Sequence, residues 1–533
     1  MVRISNFNVP VKDTTPLALL VAKRLKLPPQ AVLEVVIIRR ALDARRYKNS
    51  PIQFVYILDV KLSMDDKKVL AKLRGDKNVE YSPKRKIEQY AVGEIVLKNP
   101  PVVIGFGPAG MFAALTLAKA GYHPLVLERG NDVDQRTKDI QEFWKRGVLT
   151  TNSNVQFGEG GAGTFSDGKL TTRVSDHNMQ DILADFVEAG APEEIKYLHK
   201  PHIGTDILRT VVKNIRKKIC DLGGEIRFQS QVTNIEIING KVEAVIVNDS
   251  LRIPTTTVLL GIGHSARDTY EMIYNNSIAM TSKAFAIGVR IEHPQTWIDK
   301  AQFGEDAGSS ILGAADYAVV YQDRSSGRSA YSFCMCPGGL VVGAASELNS
   351  VVTNGMSLYK RDSGIANSAL LVNVSPNDYG NDILAGIKFQ QQYESLAFKC
   401  GGSNYFAPVQ TVGDFLTGKS GSKDFLVPPT YTPGIKVADL HECLPTFVTA
   451  TLADALPYFA TKIAGFADSS AVMTGVETRS SAPCRIVRNK DYTSINTIGL
   501  YPIGEGAGYA GGIMSAAADG INGAVALLKK YRV

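Results

Sequence analysis

Gly105, Gly107 and Gly110 stand in the spacing G-x-G-x-x-G, within Gly105-Phe106-Gly107-Pro108-Ala109-Gly110, directly after the apolar run Val102-Val103-Ile104. The first glycine permits a tight turn, the second lets backbone approach a pyrophosphate unobstructed, and the third lets a helix pack closely on a strand. The helix expected over Ala109 to Ala120, with Pro108 at its entry, brings partial positive charge to the same place. Such a turn serves dinucleotide binding. Eighteen residues after Gly110, at the end of the expected strand Pro124 to Leu127, stands Glu128, followed by Arg129. A carboxylate there accepts hydrogen bonds from both ribose hydroxyls of an adenosine and would repel the 2′-phosphate of NADP. A structural glycine turn with a surface glutamate is the alternative.

Two further segments separate a flavin dinucleotide from NAD. The stretch Gly158 to Lys169 contains Gly160, Gly161, Gly163, Thr164, Ser166, Gly168 and Lys169, many bare amides with one cation. That composition suits wrapping a ribityl-diphosphate arm; a flexible surface loop is the other explanation. Near the end, Gly504-Glu505 follows an expected strand, and Gly511-Gly512-Ile513 begins the last helix. A plain NAD dehydrogenase has no need of this second element, and a mere helix cap would explain its glycines but not the acid. FAD is therefore the expected cofactor, with NAD(P)H a candidate transient electron donor.

Other chemistry is thinner. Cys334-Met335-Cys336 beside a flavin invites a redox reading, yet redox pairs more often have two intervening residues, and strand cysteines are commonly small hydrophobes. Arg290 and Arg479 suit an anionic substrate or a reduced flavin, or else structural ion pairs. Cys334, Cys336 and Arg479 are the candidate substrate-pocket residues. No Ser/His/Asp constellation, metal-spaced histidine cluster or kinase-type phosphate loop is present.

The elements that position these residues suggest three units. Residues 1–98 read as a small basic α/β module of ferredoxin-like type: strands Val2 to Val9, Ala31 to Ala41 and Gln53 to Leu62, with helices Pro16 to Lys26 and Asp65 to Lys72. Residues 99–275 and 485–533 form a discontinuous, Rossmann-like FAD-binding domain of three layers. Its parts include strands Glu225 to Phe228, Val232 to Ile238, Val242 to Val247 and Thr257 to Leu260, and a closing helix Ile513 to Lys530. Residues 276–484, mixed strands and loops, are the α+β substrate domain.

At 533 residues, 44% hydrophobic and 21% charged, the chain suits an ordinary multidomain protein. Met1 to Asp13 lacks a secretory apolar core. The apolar run Pro100 to Ala118 carries glycines and prolines that fit a buried strand, turn and helix better than a membrane span. Six scattered cysteines, Cys220, Cys334, Cys336, Cys400, Cys443 and Cys484, suit a reducing cytoplasm. The formal charge is +7, but residues 1–100 hold 20 Lys+Arg against 10 Asp+Glu, so the rest is slightly acidic. Arg39-Arg40, Arg45-Arg46 and Lys84-Arg85-Lys86 form a basic face, more simply solvated than bound to nucleic acid. A flavin-bearing redox sensor or a nucleic-acid binder is the alternative to an enzyme acting on a small molecule; oligomeric state is left open.

The combination resembles the bacterial FAD-dependent dehydrogenases that carry a small N-terminal domain and an FAD-dependent C-terminal region and, more distantly, the glutathione-reductase-like flavoproteins. The segments that carry it are Gly105 to Gly110, Gly158 to Lys169, Lys200 to Asp206, Tyr331 to Gly339 and Gly504 to Gly512. The resemblance implies FAD and redox chemistry and no particular substrate; hydride transfer through flavin N5 is the expected reaction. It implies that Glu505 bonds a ribityl hydroxyl, in place of the more usual aspartate, and that the helix N-terminus after it faces the isoalloxazine N1–C2 carbonyl. It also implies that backbone at Val232 meets the adenine edge. Gly261-Ile262-Gly263 replaces the Ala-Thr-Gly strand end of such proteins, keeping the final glycine, Gly263.

Overall fold

The computed structural model describes residues 1–45, 51–83, 92–172 and 174–533; Arg46 and the Lys84-Arg85-Lys86 cluster lie outside the described residues. Its centre is a five-stranded parallel sheet in the order Leu500–Pro502, Val258–Leu260, Val102–Ile104, Leu125–Leu127, Glu225–Arg227. The Val102–Ile104 strand is apolar at every position because the sheet is covered on both faces. On one face lie the helices Pro108–Lys119, Thr205–Asp221 and Ile513–Leu528. On the other packs an antiparallel meander, Val232–Ile238, Lys241–Val247 and Leu251–Pro254, through Val232, Ile235, Val242 and Val245. The final helix lies so close to the first that a Cβ at Gly520 would come within 2.0 Å of the Ala109 carbonyl oxygen.

Where the sequence suggests helix to Lys530, the helix stops at Leu528, and Tyr531–Arg532 pairs in parallel with Ile95–Val96. The chain end thereby gives its backbone groups partners on the segment that leads into the sheet, instead of fraying as a last helical turn. The run Pro100 to Ala118 is strand, glycine turn and helix; among the described residues no helix is long and apolar enough to cross a membrane.

The chain leaves and re-enters the parallel-sheet region side by side, Met280–Ser282 pairing with Cys484–Ile486. Between them is a seven-stranded sheet in the order Val320–Gln322, Ser329–Cys336, Ile365–Val374, Phe285–Pro294, Val472–Glu477, Ala407–Thr411, Ile435–Val437. Its pairs are antiparallel except the last. The helix Thr446–Ala460 is buried in its core.

At the N-terminus, strands and helices alternate as β-α-β-β-α-β, with sheet order Val32–Asp43, Gln53–Leu62, Val2–Pro10, Val79–Tyr81. That succession and order are those of a split βαβ unit. Its edge strand is tied to the rest of the protein. The Arg40 amide donates to the Tyr197 carbonyl at 2.7 Å, and the His199 amide to the Arg40 carbonyl at 2.9 Å. The described arginines of the two clusters have local uses: Arg39 bonds His199, Arg40 covers the rings of Phe54 and Tyr197, and Arg45 pairs with Asp43.

Candidate functional site

The parallel strands all end at one side, where a cavity of about 750 Å³ opens between the five-stranded and seven-stranded sheets. This is the crevice outside the carboxyl ends of the strands, where open α/β sheets bind ligands. Ile104, Gly105, Leu127, Glu128 and Gly261 all reach its wall from those strand ends.

In the first turn, Gly105 has φ +90°, and a Cβ there would meet the Gly261 carbonyl oxygen at 2.4 Å. Gly107 is the N-cap of the helix Pro108–Lys119, and it, Pro108 and Ala109 line the cavity. Facing it is Gly161, at φ +62°, whose added Cβ would lie 2.8 Å from the Gly107 Cα. Two stretches of bare backbone thus approach each other at a helix N-terminus, a ready cradle for a negatively charged group.

Glu128 joins these stretches. Its Oε2 accepts from the Phe106 amide at 2.8 Å, and its Oε1 from the amides of Gly130 at 2.9 Å and Gly158 at 3.0 Å. It is 4% exposed, and that remainder faces the cavity. Arg129 also lines the cavity, bonded to Asp268 and lying over the Phe157 ring.

The segment from 154 to 161 has almost no secondary structure of its own; Arg136 holds it. This fully buried guanidinium donates to the carbonyls of Asn154, Val155, Gly158, Glu159 and Gly161. Burial pushes it down to about 10, against the pull of Glu128 and Glu159. Glu159 in turn accepts from the Val133 amide at 2.7 Å and pairs with Arg216 at 3.1 Å. The sequence reading missed Arg136. The available signal was its place on the buried stripe Val133, Arg136, Ile140, Phe143 of an otherwise charged helix, where a cation must find partners.

Glu505, Gly511, Gly512 and Ile513 also line the cavity. A Cβ at Gly511 or Gly512 would meet nothing within 4 Å, and the same holds for Gly263. These glycines face open space beside the start of the helix Ile513–Leu528. Burial pushes the Glu505 carboxyl up to about 7, while a hydrogen bond from the Gly512 amide and the charge of Lys283 pull the other way. Gly163, Ser166, Gly168, Lys169 and Val232 complete the expected residues found on the wall.

Five expected residues stand behind it instead. Gly110 packs against the turn, its hypothetical Cβ 1.9 Å from the Gly105 oxygen, and Gly504 packs against Ala109 while its amide donates to Asp519. Gly160 lies against the Thr164 hydroxyl and Val212, and Thr164 is itself buried. Cys336 is buried beneath Cys334, which does reach the cavity. Glycine spacing does not distinguish a residue that touches a ligand from one that lets two elements touch.

Arg479 lines the cavity but its guanidinium is engaged by Glu394 at 3.2 and 3.0 Å and by the Ser346 hydroxyl. Glu394 is shared with Arg267, which also bonds Gln390. Arg290 is likewise fully buried, bonded to Glu477 and Asn367. His264 stands on the wall, its ring held down to about 3 by burial and by Arg479 and Arg267. Among the described residues no group of three or more potential ligands could hold a metal ion.

A family model described as "FAD-dependent protein, C-terminal domain-like" matches residues 284–480, and a domain of unknown function matches residues 1–61. Over 532 residues the chain is 49% identical to an uncharacterised protein of Clostridium beijerinckii, covering 99% of each. The chain belongs to this family of FAD-dependent proteins. Among solved structures it is similar to glycine oxidase from Bacillus cereus, 10% identical over 81% of this chain and 98% of that one, with a TM-score of 0.32. It is also similar to a geranylgeranyl bacteriochlorophyll reductase-like protein from Thermoplasma acidophilum, 12% identical over 81% and 77%, with a TM-score of 0.35.

The residues present fit FAD. The cavity volume falls within the roughly 300–1,000 Å³ usual for small-molecule and cofactor sites. The bare backbone at Gly107 and Gly161 and the open space beside Gly263, Gly511 and Gly512 are where a long dinucleotide needs close approach.

Proposed function

We propose that the protein is an FAD-dependent oxidoreductase that passes a hydride through flavin N5 between a donor and a small-molecule acceptor. The observation that carries this reading is one cavity lined by Gly107, Gly161 and Glu128, by Glu505 and Gly511 to Ile513, and by residues of the seven-stranded sheet. Bound FAD supplies two-electron redox chemistry; the protein supplies binding, orientation and electrostatics.

Gly107 to Ala109 and Gly161 would hold the diphosphate against the helix N-terminus, and Glu128 and Val232 the adenosine. Glu505 and the Gly511–Ile513 helix start would hold the ribityl and pyrimidine portion, where partial positive charge favours an anionic ring. The Glu505 carboxyl, raised to about 7, can hold or release a proton near neutrality. Phe285, Tyr331 and Phe333 contribute aromatic wall on the side of the 276–484 region, where the acceptor would enter. NAD(P)H is the donor to test first. All six cysteines are free thiols, in keeping with a reducing cytoplasm.

Purified chain titrated with FAD should give a yellow, saturable complex whose colour bleaches anaerobically with a suitable donor. A chain that stays colourless after reconstitution defeats the proposal.

A further inference from the structure

The strand Ser329–Cys336 does not run regularly. Phe333 pairs with Ala369 but Cys336 with Asn367, so one extra residue is accommodated between them, and Cys334 takes φ +43° there. That left-handed conformation is rare for a residue with a side chain, and its cost must be met by surrounding contacts. The contacts are visible: Arg290 donates to the Cys334 carbonyl at 2.9 Å, and Lys169 to the Met335 carbonyl.

In a regular strand, residues two apart are separated by about 6.5 Å, near the upper limit for a disulfide. The bulge folds this segment on itself and brings the Cys336 sulfur to 3.2 Å from the Cys334 carbonyl oxygen. Cys334 opens onto the cavity while Cys336 lies behind it.

We propose that Cys334 and Cys336 form a redox-active dithiol–disulfide couple that exchanges an electron pair with FAD bound in this cavity. The proposal rests on the FAD reading above. In the oxidative direction two S–H bonds break and one S–S bond forms; the electron pair and one proton pass to oxidised flavin, and the second proton leaves to solvent. Reduced flavin runs the same step in reverse. The electrostatics suit it: the neighbouring Cys336, then Lys169 and Arg290, pull the Cys334 thiol below the usual range against its burial, whereas Cys334 and burial push Cys336 up. Cys334 is thus the sulfur with the more acidic thiol and faces the cavity, with Cys336 behind it. Arg290 joins Glu477 to the Cys334 carbonyl, so this cavity-wall carboxyl, raised to about 7 by burial, can relay the departing proton to solvent.

The test uses the full chain, with and without FAD, equilibrated anaerobically in glutathione and dithiothreitol redox buffers, then alkylated and mapped by peptide mass spectrometry. The expected result is that Cys334 and Cys336 lose alkylation together, in a linked peptide two hydrogens lighter, while Cys220 remains alkylated. In FAD-loaded protein the dithiol form should partly bleach the flavin, and Cys336→Ser should abolish that bleaching while still binding FAD. If Cys334 and Cys336 stay separately alkylated throughout the buffer range, or if their linkage leaves the flavin spectrum unchanged, the couple is refuted. An FAD titration read separately distinguishes this from failure of the cofactor reading, which would appear as absent binding whatever the thiol state.

Discussion

Replacing Glu128 by glutamine keeps the size of the side chain and removes its charge. The carboxylate now takes two amides on Oε1, those of Gly130 and Gly158, and one on Oε2, that of Phe106. A glutamine with its carbonyl at the Oε1 position keeps two of these bonds but turns its NH2 toward the Phe106 N–H, donor against donor. One buried unpaired donor costs about 1–3 kcal/mol, and the two surviving bonds lose their charge assistance, roughly 1 kcal/mol each. The sum is about 3–5 kcal/mol, part of it relieved by relaxation of the loop. Phe106 sits between Gly105 and Gly107, so the displaced residue is inside the turn that should receive the diphosphate. If about 1.5–3 kcal/mol of the cost falls on binding, FAD affinity drops roughly ten- to a hundredfold. Titration of apoprotein with FAD, followed by flavin fluorescence and with circular dichroism as the folding control, measures it. A folded Glu128→Gln variant with an unchanged Kd would remove the carboxylate from the cofactor site and refute the reasoning.

Arg136→Met should cost about 3–5 kcal/mol of stability, because five loop carbonyls lose a charged donor at once; equilibrium denaturation with urea measures this, and a wild-type midpoint would show that the loop is held some other way. Glu505 gives a pH signature. Its folded pKa of about 7 lies above the 4.5 of an ordinary glutamate, so the folded state binds the extra proton and stability declines as pH rises from about 4.5 to 7, by roughly 3 kcal/mol at most. Glu292 and Glu477 titrate in the same range, so the contribution is isolated by difference. Apoprotein carrying Glu505→Gln should show a shallower decline than wild type between pH 5 and 7, measured by denaturation at each pH; parallel curves would contradict the assignment.

The sequence made the backbone plan of the site legible and left its electrostatic support hidden. The glycines at 105, 107 and 110 and the acid at 128 are read in order along a strand, a turn, a helix and a second strand, so local spacing alone places them. The same holds for the element Gly504 to Ile513. Gly110, Gly160 and Gly504 show the limit: each is required, but for close packing behind the wall. Nothing local indicates that Arg267 and Arg479 share Glu394, since those residues are separated by 127 and 85 positions and meet only when the two sheets come together. Cys334 is a further case. Its spacing from Cys336 suggests two side chains on one face of an ordinary strand, and only the bulge against Ile365–Val374 shows how the Cys336 sulfur comes to lie against the Cys334 backbone.

The Arg267–Glu394–Arg479 cluster also bears on whether the cavity has a fixed width. Arg267 comes from the helix Arg267–Asn275, beside the meander, whereas Glu394 and Arg479 belong to the region carrying the seven-stranded sheet. Against the burial that would raise it, the two arginines hold the Glu394 carboxyl well below the usual carboxylate range, so it stays ionised with Arg267 beside it. A buried ion pair adds little net stability compared with apolar packing, because desolvation consumes most of the attraction. Separating Arg267 from Glu394 is another matter, since Arg267 would be left as an uncompensated charge while Glu394 kept only Arg479, at a cost of about 3–5 kcal/mol. Hinge opening that parted the sheets at this point would incur that cost, whereas motion of the loops at the cavity mouth would not. The expected path for an acceptor therefore runs past the loops, with the two sides of the cavity tied together where Arg267 meets Glu394.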